Sequence, residues 1–383
     1  METSRREQRG RRSVLRRRRV LAASLAALAL VIVIVGVMAI VRALSADATP
    51  DAGDPPPTAA TPTPTSTPLT AAQELLAGSS DPAACAVSFA GDDVSEQPQL
   101  QHQGALYEAL PIPRREGAVF AGWYASEADA QSANVDARVN GADLVACTDR
   151  EVTLYGAWTT PEAVAAADVA VPILMYHQFT TKPEGESNSL RLNYTYIGDF
   201  DAQLGYLADQ RFYLPTWDEL SAFIDGRLSL PPRSVIITDD DADSTWLELA
   251  VPVVDAHRLL TTSFVITKWR SEPSPSPFVL QRSHTHDMHE AGANGKGRMV
   301  NWSEAQIAAD METSAQILGA KQVMAYPFGH YNDTAKQGLR DAGFEMARTI
   351  DHGYVRAGTD KLALPTIRIN YGMSLSEFIA EVG

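Results

Sequence analysis

Short apolar runs alternate with amphipathic stretches throughout residues 168–383. The apolar runs that predict buried strands are 171–176, 234–238, 263–266, 323–325, 346–349 and 367–369. Residues 200–208 and 247–256 have helical periodicity, and Thr216 with Glu219 forms a capping box that predicts the start of another helix. This alternation predicts an α/β fold with a parallel sheet, open or closed into a barrel, whose chemistry lies at the carboxyl ends of the strands.

Residues 81–161 have a different pattern, in which aromatic and β-branched residues alternate with small ones and turn residues fill the gaps. The predicted strands lie at 85–89, 118–124 and 152–158. The aromatic residues expected to fill the core of this small β module are Phe120, Trp123, Tyr155 and Trp158. A glycan-binding surface built from the same residues is the alternative.

The N-terminus is basic and then strongly apolar. Nine arginines lie between Arg5 and Arg19, and residues 20–41 form an uncharged apolar run. A helix needs about 20 such residues to cross a bilayer, and an arginine cluster stays on the cytoplasmic side. The sequence therefore predicts a cytoplasmic tail at 1–19 and a membrane anchor at 20–42. A cleavable signal peptide is the alternative, and either segment exports the rest of the chain.

Residues 43–80 are rich in Pro, Thr and Ala and predict an extended linker between the anchor and the exported domains. The whole chain carries a net charge of −15 although its N-terminus is basic, so its exported part is strongly acidic. Nucleic-acid binding is therefore excluded. Cys85 and Cys147 lie near the first and last strands of the exported β module, and we expect them to form a disulfide.

Two clusters of polar residues carry the candidate chemistry. Residues 238–243 contain four aspartates directly after a predicted strand, and such carboxylates repel one another unless a cation or solvent compensates them. Residues 283–289 contain three of the eight histidines of the chain. Imidazole and carboxylate ligands together suit zinc or a similar divalent ion. The two clusters therefore predict a metal site.

Several motifs make residues 168–383 resemble the polysaccharide deacetylases, the NodB-homology group of carbohydrate esterases, in their exopolysaccharide-deacetylase branch. The matching segments are PILMYH at 172–177, TDDDA at 238–242, SHT at 283–285 followed by His289, and AYPFG at 325–329. The resemblance implies a distorted β/α barrel that hydrolyses acetamide groups with one divalent metal ion, for which zinc is favoured.

The β module resembles another family. FAGWY at 120–124 and LYGAW at 154–158 are similar to the internalin-type B repeat, or Listeria–Bacteroides repeat, of bacterial surface proteins. This resemblance implies a small β-grasp-like fold for residues 81–161, placed before the deacetylase domain at 168–383.

The deacetylase resemblance also implies a role for individual residues. Asp240 is expected to act as the general base, and Asp241, His284 and His289 are expected to bind the metal ion. His177 is expected to act as the general acid that protonates the leaving amine.

Further residues are assigned by the same resemblance or depart from it. The backbone of Tyr326 is expected to help hold the oxyanion. Relatives often carry an arginine at the position of Thr366, and Arg368 is expected to replace it beside the base. Asp239 and Ala242 stand where the family usually has Phe and Gly. Three tryptophans are expected to pack in the core rather than to stack on a sugar: Trp246, Trp269 and Trp302.

The predicted function is removal of N-acetyl groups from N-acetylglucosamine-containing cell-surface polysaccharide, such as peptidoglycan or exported poly-N-acetylglucosamine. The predicted partners are this glycan and the cell wall, and the predicted location is the outer side of the cell membrane. The alternative is a wall-binding protein whose deacetylase domain has lost catalysis, which the departures at Asp239, Ala242 and Thr366 favour.

Overall fold

The computed structural model describes residues 68–383. The predicted tail, 1–19, and membrane anchor, 20–42, lie outside these residues, as does most of the predicted linker. Within the described range, no helix is both long enough and apolar enough to cross a membrane. The end of the predicted linker is not extended, because Ala71–Gly78 forms helix α1 behind a capping box between Thr70 and Gln73.

A five-stranded sheet forms the β module. Its strands are β1 (Ala84–Ala90), β2 (Gln99–His102), β3 (Val119–Tyr124), β4 (Arg138–Val139) and β5 (Glu151–Thr159). Their order across the sheet is β2-β1-β5-β3-β4, with β1 parallel to β5 and the other neighbours antiparallel. Phe120 and Trp123 are buried in its core, whereas Tyr155 and Trp158 are half-buried. The aromatic residues of the module therefore serve mainly to pack it.

The predicted disulfide is present. Cys85 in β1 bonds to Cys147, which precedes β5, and their Cα atoms are 6.1 Å apart. The bond joins residues that are 62 positions apart in sequence. Closing a loop of this length contributes about 4 kcal/mol to stability by the chain-entropy estimate.

Nine strands follow the module. In chain order they are β6 (Ile173–Tyr176), β7 (Gln178–Thr180), β8 (Tyr194–Tyr196), β9 (Ile236–Asp241), β10 (Thr261–Val265), β11 (Val279–Ser283), β12 (Val323–Ala325), β13 (Met346–His352) and β14 (Leu364–Arg368). β7 and β8 pair only with each other. The other seven form a closed parallel barrel in which β14 pairs with β6. The predicted parallel sheet is thus a barrel, and β11 has no counterpart among the predicted strands.

Helices connect the strands and cover the barrel. After α1 they are α2 (Glu127–Ser132), α3 (Pro161–Ala167), α4 (Ile197–Asp209), α5 (Trp217–Ile224), α6 (Val251–His257), α7 (Glu304–Leu318), α8 (Asp333–Asp341) and α9 (Leu375–Val382). α5 begins at the predicted capping box, where Thr216 accepts a hydrogen bond from the Glu219 backbone. A π-helical turn, Trp246–Ala250, precedes α6.

The β module packs directly against the amino-terminal end of the barrel. Its Phe120 exchanges backbone hydrogen bonds with the segment after α5, accepting from Ser229 at 2.9 Å and donating to Arg227 at 3.1 Å. Buried Glu219 of α5 accepts a hydrogen bond from the Asn140 side chain at 2.7 Å and lies 3.6 Å from the Arg138 guanidinium. One apolar cluster continues from the module core into the barrel interior.

Candidate functional site

Three side chains converge at the carboxyl ends of β9 and β11. One ligand atom from each of Asp241, His284 and His289 lies within 4.8 Å of the others. The Oδ1 atom of Asp241 is 3.4 Å from His284 Nε2 and 3.3 Å from His289 Nε2. The structure therefore brings together the three residues predicted to bind a metal ion.

The backbone around this cluster is bent into left-handed conformations. Asp241 has φ 76° and Ala242 has φ 50°, and Thr285 between the two histidines has φ 72°. Such values cost free energy in residues that carry a Cβ atom, and they concentrate at functional sites. Position 242 is one where Gly would fit without this cost, which gives a physical reason for the Gly of relatives.

The Asp241 carboxylate lacks compensation within the described residues. Its Oδ1 atom is buried and has no hydrogen-bond partner there. Burial, together with repulsion from the Asp240 and Asp243 carboxylates, raises the pKa of Asp241 to about 7. A divalent cation would supply the missing positive charge, and two imidazoles with one carboxylate are a suitable donor set. The residues present thus fit the predicted ion.

The two histidines are prepared to act as neutral ligands. Nδ1 of His284 donates a hydrogen bond to the Ala325 carbonyl at 2.9 Å, which leaves Nε2 with its lone pair directed at the cluster. Burial lowers the pKa of His284 to about 3, and burial also lowers the pKa of His289. Both imidazoles are therefore uncharged at neutral pH.

Asp240 lies inside the barrel between the Arg348 guanidinium and the His177 imidazole. Its Oδ1 atom accepts a hydrogen bond from the Arg348 guanidinium, and its Oδ2 atom is 3.5 Å from His177 Nε2. Burial alone would raise the pKa of Asp240, but Arg348 and the two imidazoles of His177 and His284 outweigh it and lower the pKa to about 2. Asp240 is thus an anion at any physiological pH.

His177 reaches the site from the first barrel strand, as predicted. It is largely buried, with 17% of its side chain exposed. Burial lowers the pKa of His177, and the Asp240 carboxylate opposes this change. At a given pH, a larger fraction of His177 is therefore uncharged than of a free histidine side chain.

The expectation for Arg368 is wrong. Its guanidinium hydrogen-bonds to Asn193 and makes no ion pair with Asp240 within the described residues. The arginine that holds Asp240 is Arg348 of β13, which is fully buried and also donates to the Thr349 carbonyl at 3.1 Å. An arginine inside a predicted buried strand requires a buried partner, but this signal applies to Arg368 as well as to Arg348.

The expectation for Tyr326 also needs correction. Its backbone N–H already donates a sheet hydrogen bond to the Arg348 carbonyl at 3.0 Å. Its buried side chain donates to the Leu362 carbonyl at 3.0 Å, away from the metal ligands. Because the N–H is engaged, it is not free to hold an oxyanion in this conformation.

Asp239 faces the outside of the barrel wall rather than the candidate site. It is fully buried, and Ser263 donates a hydrogen bond to its Oδ2 atom at 3.2 Å. Burial and the neighbouring Asp240 carboxylate raise the pKa of Asp239 well above its usual range. This shift favours the neutral acid form of Asp239 and so limits the negative charge that it adds to the site.

A short hydrogen-bond chain links the aspartate loop to the His177 segment. Asp243 Oδ1 accepts from the Thr245 hydroxyl at 2.6 Å, and the same hydroxyl accepts from the Phe179 backbone N–H at 2.8 Å. Phe179 is two residues after His177. This chain fixes the loop that carries Asp241 relative to the strand end that carries His177.

The tryptophans differ in their environments. Trp246 is buried in the core as expected. Trp302 is partly buried and packs against an apolar cluster that includes Met288 and Met299. Trp269 is 62% exposed, so the expectation of core packing is wrong for this residue.

Part of the chain that carries this site is similar to known proteins. Residues 227–347 match the family model "Polysaccharide deacetylase". The chain is 28% identical over 161 residues to the poly-beta-1,6-N-acetyl-D-glucosamine N-deacetylase of Staphylococcus aureus. That alignment covers 37% of this chain and 56% of the relative, so the chain spans little more than half of the curated relatives it matches.

Two solved structures are also similar to part of this chain. A Streptococcus pyogenes deacetylase, PplD, in complex with acetate is 24% identical, and the match covers 56% of this chain and 99% of that chain with a TM-score of 0.48. IcaB from Ammonifex degensii is 22% identical, with 56% and 97% covered and a TM-score of 0.48. The family match includes Asp240, Asp241 and both histidines of the cluster. Residues 227–347 of this chain are thus similar to the polysaccharide deacetylases, and the similarity includes the candidate site.

Proposed function

We propose that this chain is a metal-dependent hydrolase that removes N-acetyl groups from N-acetylglucosamine-containing cell-surface polysaccharide. The observation that carries the proposal is the grouping of three metal-type ligands, Asp241, His284 and His289, next to the Asp240–His177 pair. The Staphylococcus aureus relative is named for poly-beta-1,6-N-acetyl-D-glucosamine. This polymer is the first substrate to test, and peptidoglycan is the second.

Asp241, His284 and His289 would hold the ion, and zinc suits this donor set. When bound, a divalent ion polarises an acetyl carbonyl and lowers the pKa of water, which is the chemistry that amide hydrolysis at neutral pH requires. The neutral state of both imidazoles and the uncompensated Asp241 oxygen support this assignment.

The protein's own residues then move one proton from the attacking water to the leaving amine. Asp240 accepts the proton while the water oxygen bonds to the acetyl carbon. A carboxylate with a pKa of about 2 is a much weaker base than an imidazole, so Asp240 passes the proton on rather than keeping it. His177 Nε2 is 3.5 Å away, so it receives the proton and delivers it to the nitrogen as the C–N bond breaks. The products are acetate and a free amine on the glycan.

Arg348 keeps this route open in the proposal. Its guanidinium holds Asp240 ionised in a buried position where a carboxylate would otherwise become protonated. A protonated Asp240 could not accept the proton of the water.

The proposal places the barrel outside the cytoplasmic membrane, held by the apolar segment 20–42 and separated from it by the linker. The arginine-rich tail and the uncharged apolar run support this placement. Protease treatment of intact cells should release the domain into the medium, and retention of the full-length chain inside the cells would contradict it.

We assign the β module to the internalin-type B repeats, which implies a β-grasp-like fold. Its FAGWY and LYGAW segments support that assignment. Because Phe120 and Trp123 are buried and the contact with α5 is buried, we assign the module to support of the barrel rather than to independent glycan binding.

Acetate release from a panel of glycans is the direct test. Full-length protein stripped of metal should release no acetate from poly-β-1,6-N-acetylglucosamine, and activity should return with zinc. The second candidate function, glycan binding without catalysis, rests on the departures at Asp239 and Ala242. Tight glycan binding with no acetate release from any metal-loaded sample would favour that candidate.

A further inference from the structure

Two exposed aromatic side chains stand beside His289. The Trp269 side chain is 62% exposed, and its ring centroid is 6.0 Å from the imidazole. The Phe328 side chain is 43% exposed, and its ring centroid is 4.4 Å from the same imidazole. They come from the loops after β10 and β12, at the face of the barrel that carries the candidate site. Core packing does not explain either ring.

Trp269 is held by a rigid turn. Its own N–H donates to the Ile266 carbonyl at 2.9 Å, which closes the turn at the end of β10. Two preceding N–H groups, those of Thr267 and Lys268, donate to the carbonyls of Thr285 and His286 at 3.1 and 3.3 Å. The backbone of the turn is thus joined to the histidine segment, and the exposed indole projects from a backbone position that these bonds define.

Phe328 is held in a strained conformation. Its φ of 59° lies in the left-handed region, which is unfavourable for a large side chain. The Tyr326 and Pro327 carbonyls accept hydrogen bonds from Gly329 and His330 at 2.9 and 3.0 Å, and these bonds maintain the turn. Gly297 leaves room for the ring, because a Cβ atom there would lie only 2.9 Å from it. Strain of this kind persists where the surroundings impose it, often at binding sites.

We propose that Trp269 and Phe328 form an aromatic rim that stacks on the sugar units next to the one being deacetylated. The C–H faces of pyranose rings are apolar, and exposed aromatic rings bind such faces with little loss of side-chain freedom. The rim makes the site select an oligomer of N-acetylglucosamine over a single sugar, because only the oligomer reaches beyond the reacting unit. This inference rests on the proposed function.

The test compares a long and a short substrate on full-length, zinc-loaded protein. The long substrate is a β-1,6-linked N-acetylglucosamine pentamer, and the short one is an activated aryl acetate. Trp269→Ala should lower kcat/KM on the pentamer by about tenfold, mainly through KM, and should leave aryl acetate hydrolysis and metal content unchanged. Phe328→Ala should have the same pattern, and Trp269→Tyr should restore most of the loss.

The matched control is Ile317→Ala, which truncates a side chain that is 40% exposed on α7. It should change neither substrate. Unchanged pentamer kinetics in Trp269→Ala and Phe328→Ala would overturn the inference, and so would equal losses on both substrates, which would indicate a disturbed metal cluster.

Pentamer binding separates this inference from the proposed function. If the parent protein releases no acetate from any glycan, the proposed function fails, and the rim is then judged by calorimetric titration with the pentamer alone. A pentamer affinity about tenfold weaker in Trp269→Ala supports the rim. Equal affinity in parent and variant overturns it.

Discussion

Two carboxylates at opposite ends of the barrel, Glu219 and Asp241, differ in how far the protein compensates their charge. At the amino-terminal end, Glu219 accepts hydrogen bonds from Asn140 and the Tyr213 hydroxyl and lies beside the Arg138 guanidinium. At the carboxyl-terminal end, Asp241 keeps an oxygen that has no partner among residues 68–383. The first carboxylate joins the β module to the barrel, whereas the second is left available.

The first kind of carboxylate stabilises the fold, whereas the second kind can bind a ligand. A buried charge with donors around it contributes to a defined structure, and removing one member leaves the others uncompensated. A buried charge without donors costs free energy until a ligand compensates it. The left-handed residues and the exposed aromatic rings lie at the end of the barrel where this second kind of carboxylate occurs.

The largest effect is expected at Asp241. Asp241→Asn should remove stoichiometric metal and reduce acetate release by about 10³-fold or more, since several kcal/mol of catalysis depend on the ion. The metal-free variant should nevertheless be more stable than the metal-free parent at pH 8, because an uncompensated charge is removed. Metal analysis, acetate assays and urea unfolding of metal-free protein measure these three quantities.

The stability difference has a defined pH dependence. The folded-state pKa of Asp241 is raised to about 7, above that of an unfolded aspartate, so this residue costs stability as pH rises between the two values. The advantage of Asp241→Asn should therefore be full above about pH 7 and should disappear near pH 4. A variant that is less stable than its parent at pH 8 would contradict the comparison.

The opposite result is expected at Glu219. Glu219→Ala should lower the free energy of unfolding by about 3–5 kcal/mol, because Arg138 is left buried without its carboxylate partner. Metal content per folded molecule should not change. Urea unfolding with zinc analysis of the folded fraction measures both, and metal loss without destabilisation would show that the two ends are coupled.

His177 is expected to affect turnover alone. His177→Ala should lose about 10²–10³-fold of amide hydrolysis, which is the usual contribution of a proton-transfer residue. Metal occupancy should stay full. An activated aryl ester needs less protonation of its leaving group and should lose much less activity. Equal losses on amide and ester, or loss of metal, would exclude the assigned role.

The smallest effect is expected at Arg348. Arg348→Lys keeps a positive charge but shortens the side chain, so the pKa of Asp240 should rise from about 2. The acidic limb of the pH–rate profile should then move to higher pH by about one unit, equivalent to about 1.4 kcal/mol. Arg368→Ala is the matched control and should leave the acidic limb in place. A shift in the control instead would restore the earlier expectation for Arg368.

The sequence alone predicts the strands and helices that have strong local patterns. The apolar runs of β6, β9 and β12 and the capping box of α5 are local patterns, and the structure contains all of them. The ligand cluster was also predictable, because its residue types suit a divalent ion and its motifs resemble a known family, although β11, which precedes the histidines, was not predicted.

The remaining details depend on contacts between distant residues. The partner of Asp240 could not be chosen between Arg348 and Arg368 without the strand register, which orients Arg348 into the barrel. The Tyr326 N–H donates to the carbonyl of Arg348 in β13, a pairing that the motif around Tyr326 does not reveal. The exposure of Trp269 follows from a turn whose partners lie in the histidine segment.

Closure of the barrel also has a consequence for folding. β6 and β14 pair directly, and the Thr366 hydroxyl donates to the Ile173 carbonyl at 2.7 Å across 193 positions of sequence. Contacts of such long range form slowly, because the intervening chain must be ordered first. His177 follows β6 and Arg348 lies in β13, next to the closing strand. The Asp240 site should therefore form in the last kinetic phase of refolding, together with barrel closure, while the disulfide-bonded module can form earlier.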